Sequence, residues 1–230
     1  MFDRPPPSPP ASRRPSPAAS EASATPEASA DSVERLCRLY DARLARADGR
    51  LSPDHRRDLG ALAGLFGLDA ERPVAELWRE LRSLILRRAS ADQDSTPEPA
   101  ETPTAVRSDA AAEPLTLLVV EDDPETAVDL TAFLTEAGHR VVGPFHSAAA
   151  AEAAAALHPV DAALLDINLS DGADGGALAE NLARRWGVRI IFVSGDGPAV
   201  ERHAHLAEAV VIKPYTGAQI LAAVARLSPA

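Results

Sequence analysis

The alternation of apolar and polar positions divides the chain into two regions of different periodicity. In residues 31–90 apolar side chains recur every three or four positions, which predicts amphipathic helices. The first such stripe comprises Val33, Leu36, Cys37, Tyr40 and Leu44. Ser52 and Pro53 predict the start of a second helix that stops at Gly67, and Pro73 precedes a third apolar stripe. Residues 31–90 are therefore predicted to form a small all-α module of three helices.

Residues 115–230 instead alternate short apolar runs with alanine-rich helical stretches. We predict strands at Leu115–Val120, His139–Val142, Ala162–Asp166, Arg189–Val193 and Ala209–Ile212. Helices are predicted near 125–137, 147–157, 175–186, 198–206 and 217–227. Five βα repeats of this kind predict the α/β class, with a five-stranded parallel, doubly wound sheet that carries helices on both faces.

Two segments show neither pattern. Residues 1–30 consist mainly of Pro, Ser, Ala and Glu, which predicts a disordered tail. Residues 91–114 contain six carboxylates and one arginine, which predicts an extended, self-repelling linker. The expected organisation is therefore a tail at 1–30, a helical module at 31–90, an acidic Pro-containing linker at 91–114 and the α/β domain at 115–230.

Composition excludes several classes of protein. With 46% hydrophobic and 25% charged residues, the chain suits a globular protein, and its single cysteine excludes a disulfide framework or a cysteine-based zinc site. No apolar run approaches the roughly 18 residues that cross a bilayer, and the amino terminus lacks the apolar core of a secretory signal. We therefore expect a cytoplasmic location and no contact with a membrane.

The net charge of −11 is unevenly distributed and argues against broad affinity for nucleic acid. Residues 31–90 carry twelve arginines and ten acids, a charge of +2. Residues 115–230 carry seven basic and fifteen acidic side chains, a charge of −8. Opposite signs permit an intramolecular contact between the helical module and the α/β domain, although attraction between exposed charges alone is weak and salt-sensitive.

Polar side chains follow the predicted strands at the edge of the sheet where ligands of such folds bind. The side chains at these strand ends are Glu121, Asp122, Asp123, Asp166, Asn168, Ser194 and Lys213. Crowded carboxylates repel one another, and a hard divalent cation with oxygen ligands, here Mg²⁺, relieves that repulsion. A nucleophilic carboxylate, a metal, a hydroxyl and an ammonium together suit the transfer of a phosphoryl group.

Lys213 is distinctive because it is the only lysine in a sequence with twenty-two arginines. A compact ammonium and a planar guanidinium do not fit the same pocket. The exception to the arginine bias therefore indicates that this strand end requires a point charge.

Four segments, LTLLVVEDDPE, AALLDINL, FVSGDG and VVIKPY, resemble the signature segments of the response-regulator receiver domain of two-component signalling, over roughly residues 115–228. The resemblance implies a flavodoxin-like fold, with Asp166 as the phosphoacceptor and also a metal ligand. It further implies that Asp122 binds Mg²⁺ directly, Glu121 through a metal-bound water, and Asn168 through its backbone carbonyl. Ser194 and Lys213 would bind phosphoryl oxygens, and Asp123 would cap a helix.

The chain also departs from the family pattern. The position three residues before the lysine, usually an aromatic that swings inward on activation, is Val210. The eighteen residues between Ser194 and Lys213 leave room for only a short fourth helix. Together with the run Phe192–Gly195, this spacing resembles a receiver subgroup with a shortened fourth helix and a Phe-Ala-Thr-Gly type motif. Tyr215, where the family generally has phenylalanine, is expected to be a partner anchor or a packing residue.

The leading hypothesis is a signalling switch that accepts a phosphoryl group on Asp166 from a histidine kinase or a histidine phosphotransfer protein. Its output would pass through protein–protein interaction with an unidentified partner, and its chemistry would not exceed self-phosphorylation and autodephosphorylation. One alternative is a DNA-binding regulator acting through residues 31–90. Against it, Pro73 falls within the second helix of the suggested helix-turn-helix, and the start of that helix is acidic, with Asp69 and Glu71. His55 in the same region is expected to be a solvated surface residue.

A second alternative is an enzyme, because the run around Asp166 also resembles haloacid-dehalogenase-type phosphatases. Those enzymes place the nucleophile on the first core strand and the paired acid late, which is the reverse of the order here. Position 168 is also an asparagine where their acid/base aspartate would stand.

Overall fold

The structure, a computed structural model, describes residues 26–46, 50–94, 113–169 and 172–227. Its first three helices are α1 (Pro26–Leu44), α2 (Pro53–Leu65) and α3 (Val74–Asp94). Ser52 caps α2 as its sequence indicates, accepting a hydrogen bond from the His55 amide at 3.3 Å. Helix α1 begins five residues before position 31, and α3 continues four residues beyond position 90. Residues 1–25 of the predicted tail and 95–112 of the predicted linker lie outside the described residues.

Aromatic side chains hold the three helices together in a unit that we call the helical module. Tyr40 of α1 stacks on Trp78 of α3 with ring centroids 4.8 Å apart, and its hydroxyl donates to the His55 carbonyl at 2.8 Å. The Trp78 indole donates to Asp41 at 2.8 Å. The expectation that His55 is a solvated surface residue is wrong, because its ring is buried against Tyr40. Tertiary packing, which the local sequence does not encode, decides its burial.

The α/β region forms one parallel sheet of five strands in the order β2-β1-β3-β4-β5, which confirms the predicted fold class. The strands are β1 (Thr116–Val120), β2 (Arg140–Phe145), β3 (Ala162–Leu165), β4 (Arg189–Ser194) and β5 (Ala207–Ile212). The helices are α4 (Pro124–Glu136), α5 (Ala148–Leu157), α6 (Gly175–Trp186), α7 (Gly197–His203) and α8 (Gly217–Ala225). A 3₁₀ turn at Ala204–Leu206 follows the short α7.

Strand β2 differs most from its predicted bounds, because it continues past Gly143 and Pro144 to Phe145. Gly143 has φ +109°, and a Cβ there would lie 2.9 Å from the Val119 carbonyl oxygen, so the close approach of two strands requires glycine. Pairing resumes beyond this irregularity, where Val120 faces Phe145. The extension brings the end of β2 level with the end of β1.

The helical module lies on one face of the sheet and shares its apolar core. Helix α1 packs along α5, and α2 packs on β2 and α5. The alanine-rich α5 is buried on nearly all sides, since one side faces the sheet and another faces α1. A second core on the opposite face joins the sheet to α4 and α8. The module and the sheet therefore form a continuous apolar interior on the α5 side.

Candidate phosphoryl-transfer site

The end of β1 supplies three consecutive acids with different surroundings. Glu121 is almost fully buried at 1% exposure, whereas Asp122 is half-buried. The Glu121 amide donates to the Phe145 carbonyl at 2.9 Å, which fixes this strand end against β2. Asp123 caps α4, as predicted, by accepting from the Thr126 amide at 2.8 Å.

Asp166 follows β3 directly, and its side chain is buried. The backbone N–H of Asn168 donates to Asp166 Oδ1 at 3.2 Å. Gly175, the first residue of α6, packs so closely that a Cβ there would lie 2.3 Å from the Asp166 carbonyl oxygen. Only glycine permits this contact, so the start of α6 directly supports the loop that carries Asp166. Sequence reasoning did not identify this contribution of Gly175.

Two donors from neighbouring strand ends hold the two oxygens of the Asp166 carboxylate. The fully buried Ser194 donates its hydroxyl to Oδ1 at 2.7 Å. Lys213 donates to Oδ2 at 2.7 Å and also to Glu121 Oε2 at 2.7 Å. Strands β4 and β5 bring these donors together because their carboxyl ends are paired, with Ser194 opposite Ile212.

Burial and crowding shift the pKa values of the site. Burial raises the pKa of Glu121 above its ordinary value of 4.5, although the hydrogen bond from Lys213 opposes the shift. Burial also raises the pKa of Asp122, and the charge of Asp166 adds to that effect. Burial alone would lower the pKa of Lys213, but its hydrogen bonds to Asp166 and Glu121 raise it. The ammonium is thus held charged between two carboxylates.

The acids of the site fit a divalent cation. Glu121, Asp122 and Asp166 each offer one carboxylate oxygen, and these oxygens lie within 4.8 Å of one another. Hard cations with oxygen ligands, Mg²⁺ in particular, are suited to such a set. Burial is the largest cause of the raised pKa values of Glu121 and Asp122, and the charge of Asp166 raises both further, so a bound cation would relieve both effects.

The structure brings six of the predicted side chains or their loops to one sheet edge, namely Glu121, Asp122, Asp166, Asn168, Ser194 and Lys213. Val210 lies outside this cluster on β5, with its side chain 39% exposed. Tyr215 packs partly buried against the core on the α8 side, and burial raises the pKa of its hydroxyl to about 12.

The protein is therefore a doubly wound α/β protein with a polar site at the carboxyl ends of its strands. The site contains a buried aspartate, a cluster of carboxylates, a hydroxyl and an ammonium. Residues 117–225 match the model of the response regulator receiver domain family. These residues therefore form a response regulator receiver domain, and we refer to residues 115–227 as the receiver.

Solved structures of receiver domains resemble the same half of the chain. The receiver domain of the response regulator TorR of the TMAO respiratory system is 32% identical, with 50% of this chain and 96% of that chain covered and a TM-score of 0.45. The receiver domain of the PhyR response regulator from Erythrobacter litoralis is 22% identical (51% and 95% covered, TM-score 0.47). A two-component response regulator from Clostridium difficile is 21% identical (49% and 94% covered, TM-score 0.46). No protein with a curated functional description matches the chain.

The family match covers the receiver and leaves residues 26–94 outside it. Among the described residues, no helix is long and apolar enough to span a membrane.

Proposed function

We propose that the chain is a phosphorylation-dependent signalling switch that accepts a phosphoryl group on Asp166. The observation that carries this proposal is the pair of donors on its carboxylate, with Ser194 on one oxygen and Lys213 on the other, beside the acids of the metal cluster. The donor would be a phosphohistidine of a sensor kinase or of a phosphotransfer protein.

The transfer would proceed by attack of an Asp166 carboxylate oxygen on the donor phosphorus. The new P–O bond forms as the P–N bond to the donor imidazole breaks, and the imidazole leaves with the electron pair of that bond and takes up a proton. A bound Mg²⁺ would neutralise negative charge on the phosphoryl oxygens. Glu121 and Asp122 would hold this ion, together with Asp166 and the backbone carbonyl of Asn168.

Ser194 and Lys213 would then hold the transferred group. Each already lies within hydrogen-bond distance of an Asp166 oxygen, so each needs only to exchange a carboxylate oxygen for a phosphoryl oxygen. The added negative charge changes what these two donors contact, and this change is the signal.

We assign the output to protein–protein interaction that involves the helical module. Residues 31–90 carry a charge of +2 and residues 115–230 carry −8, and the helical module is packed on the receiver through a shared apolar core. A phosphoryl group on Asp166 that changes this packing would change which surface of the module is available to a partner. The family match and the order of the acids along the chain favour a receiver over a haloacid-dehalogenase-type phosphatase.

The test is intact-mass analysis after incubation with acetyl phosphate and Mg²⁺. We expect one phosphoryl adduct on the wild-type chain, dependent on Mg²⁺, and none on the Asp166→Asn variant. Asp161→Asn is the matched control, because Asp161 lies at the opposite end of the sheet, where it accepts from the Thr116 amide. An adduct that persists in Asp166→Asn, or its absence from the wild type with acetyl phosphate and a panel of kinases, would overturn the proposal.

A further inference from the structure

The helical module buries the carboxylate of Asp58 in its contact with the receiver. Asp58 of α2 has no exposed surface, although it carries a carboxylate. It lies on the buried side of α2, in line with Leu59 and Leu62. A buried carboxylate is costly unless hydrogen bonds satisfy it, so its partners determine what the residue does.

The partners of Asp58 are the first two residues after β2 of the receiver. The His146 amide donates to Oδ1 at 2.6 Å, and the Ser147 hydroxyl donates to Oδ2 at 2.5 Å. The His146 ring nitrogen Nδ1 lies 3.3 Å from Oδ1. Ser147 is also the N-cap of α5, where a negative charge interacts favourably with the helix dipole. Both carboxylate oxygens of Asp58 therefore accept hydrogen bonds from the receiver, and these hydrogen bonds form only when the module is docked in this position.

The loop that binds Asp58 is also attached to the candidate phosphoryl-transfer site. Phe145, the residue directly before His146, accepts a hydrogen bond from the Glu121 amide at 2.9 Å. The Glu121 side chain in turn accepts from Lys213. Only the segment Phe145–Ser147 separates the Asp58 carboxylate from an acid of the metal cluster. The two sites thus share one short piece of backbone.

A second polar contact runs from the module to the helix that starts beside Asp166. The buried Glu152 of α5 accepts from Arg35 of α1 at 2.5 Å and from Asn181 of α6 at 2.9 Å. Helix α6 begins at Gly175, against the Asp166 backbone. Arg35 is half-exposed, so this contact is weaker than that of the fully buried Asp58.

We propose that Asp58 is a docking latch that couples the helical module to the metal and phosphoryl site of the receiver. Docking fixes His146 and Ser147, which anchors the end of β2 and, through Phe145, the backbone of Glu121. A preorganised Glu121 binds the divalent cation more tightly than a mobile one. Because coupling between two sites is reciprocal, a cation at the acids tightens the docking of the module. The role of the latch in signalling rests on the proposed function, but the coupling between docking and metal binding does not.

The experiment uses the full chain and three variants. Asp58→Asn keeps the shape but removes the charge, Ser147→Ala removes one receiver donor, and the third variant combines both. Asp54→Asn is the matched control, because Asp54 lies one turn earlier on α2 and pairs with Arg57 of the same helix. Mg²⁺ affinity is measured by calorimetry, and amide hydrogen exchange of residues 26–94 is measured with and without Mg²⁺.

We expect Asp58→Asn to raise exchange across the module by about tenfold, since it weakens a buried charge-assisted contact. Mg²⁺ affinity should fall by about fivefold or more, the lower end of usual coupling between sites. Mg²⁺ should slow exchange of the wild-type module. Ser147→Ala should lower Mg²⁺ affinity little beyond the effect of Asp58→Asn, because both remove the same contact, although it also removes the N-cap of α5 and so raises exchange at the start of that helix. Asp54→Asn should resemble the wild type in both measurements.

If Asp58→Asn raises hydrogen exchange in the module but leaves Mg²⁺ affinity unchanged, docking and metal binding are not coupled. If Asp58→Asn leaves hydrogen exchange in the module unchanged, Asp58 is not a docking latch. If Asp58→Asn fails to fold, Ser147→Ala still alters the contact from the receiver side and carries the same expectations. A wild-type chain that shows both effects yet forms no phosphoryl adduct would refute the proposed function and leave the latch standing.

Discussion

Replacing Lys213 with methionine would remove the positive charge that lies between two buried carboxylates. The ammonium is 2.7 Å from Asp166 Oδ2 and 2.7 Å from Glu121 Oε2, and Glu121 is 1% exposed. Methionine occupies a similar volume, so the variant tests charge rather than packing. The change leaves two neighbouring carboxylates without a counter-ion when the metal is removed.

The cost follows from the burial of these groups. Breaking a buried ion pair by removing one partner costs about 3 to 5 kcal/mol. Because the Lys213 side chain retains 23% exposure, we expect about 3 kcal/mol, the lower end of that range. Loss of the Lys213 hydrogen bond also raises the pKa of Glu121 further, since that bond now lowers it.

The pH dependence has a definite sign. When folding raises the pKa of a carboxyl group, that group lowers the stability of the folded state. The loss grows as the pH rises from the pKa of the group in the unfolded state to its pKa in the folded state. The deficit of Lys213→Met should therefore be largest near neutral pH and should shrink towards pH 4.5, where protonated Glu121 needs no counter-ion. Mg²⁺ should also reduce the deficit at neutral pH, because the cation binds the same carboxylates.

The assay is denaturant unfolding of both proteins at neutral and acidic pH, with a chelator and with Mg²⁺. Arg72→Met is the control, because it removes a cation from an exposed pair with Glu80, and we expect little change in stability. An equal deficit at both pH values, or a deficit that Mg²⁺ leaves untouched, would refute the electrostatic reasoning.

Three further predictions test the packing. Gly175→Ala should cost about 1 to 3 kcal/mol by overpacking against the Asp166 loop and should slow adduct formation. Gly197→Ala should be neutral in denaturant unfolding, because a Cβ there would meet no atom of the described residues within 4 Å. Burial and the charge of Arg88 lower the pKa of His158. The neutral His158 therefore contributes its full share of stability above pH 6.5, and this contribution is lost as the pH falls below 6.5. His158→Gln should flatten the plot of unfolding free energy against pH in this range. Leu36→Ala should cost about 2 to 5 kcal/mol, and hydrogen exchange should rise in the sheet as well as in the helices, because the core is continuous; an effect confined to the helices would contradict this.

Much of the receiver fold and the candidate site could be predicted from sequence, because parallel strands end at one edge. Once five strands are placed, Glu121, Asp166, Ser194 and Lys213 must converge there, whatever the bounds of each strand. The bounds of β2 were less accurate, because Gly143 and Pro144 predict a break. Only pairing with β1 shows that the strand continues beyond them.

The contacts between module and receiver were harder to predict, since they depend on tertiary packing. Two signals were nevertheless present. Asp58 occupies an apolar position on the stripe shared with Leu59 and Leu62, where a charged residue needs a partner. The alanine-rich segment 148–157 is apolar on every side, which is typical of a helix covered on more than one face. Neither signal identifies the covering element. The structure shows that His146 and Ser147 cover Asp58 and that α1 covers α5.

The placement of Lys213 has a practical consequence for chemical labelling. It carries the only side-chain primary amine in these 230 residues, and that amine is engaged by two carboxylates. An amine-directed acylating reagent therefore has a single internal target, which lies within the candidate site. The yield of that one modification, read from a single peptide, reports the occupancy of the site without any engineered probe.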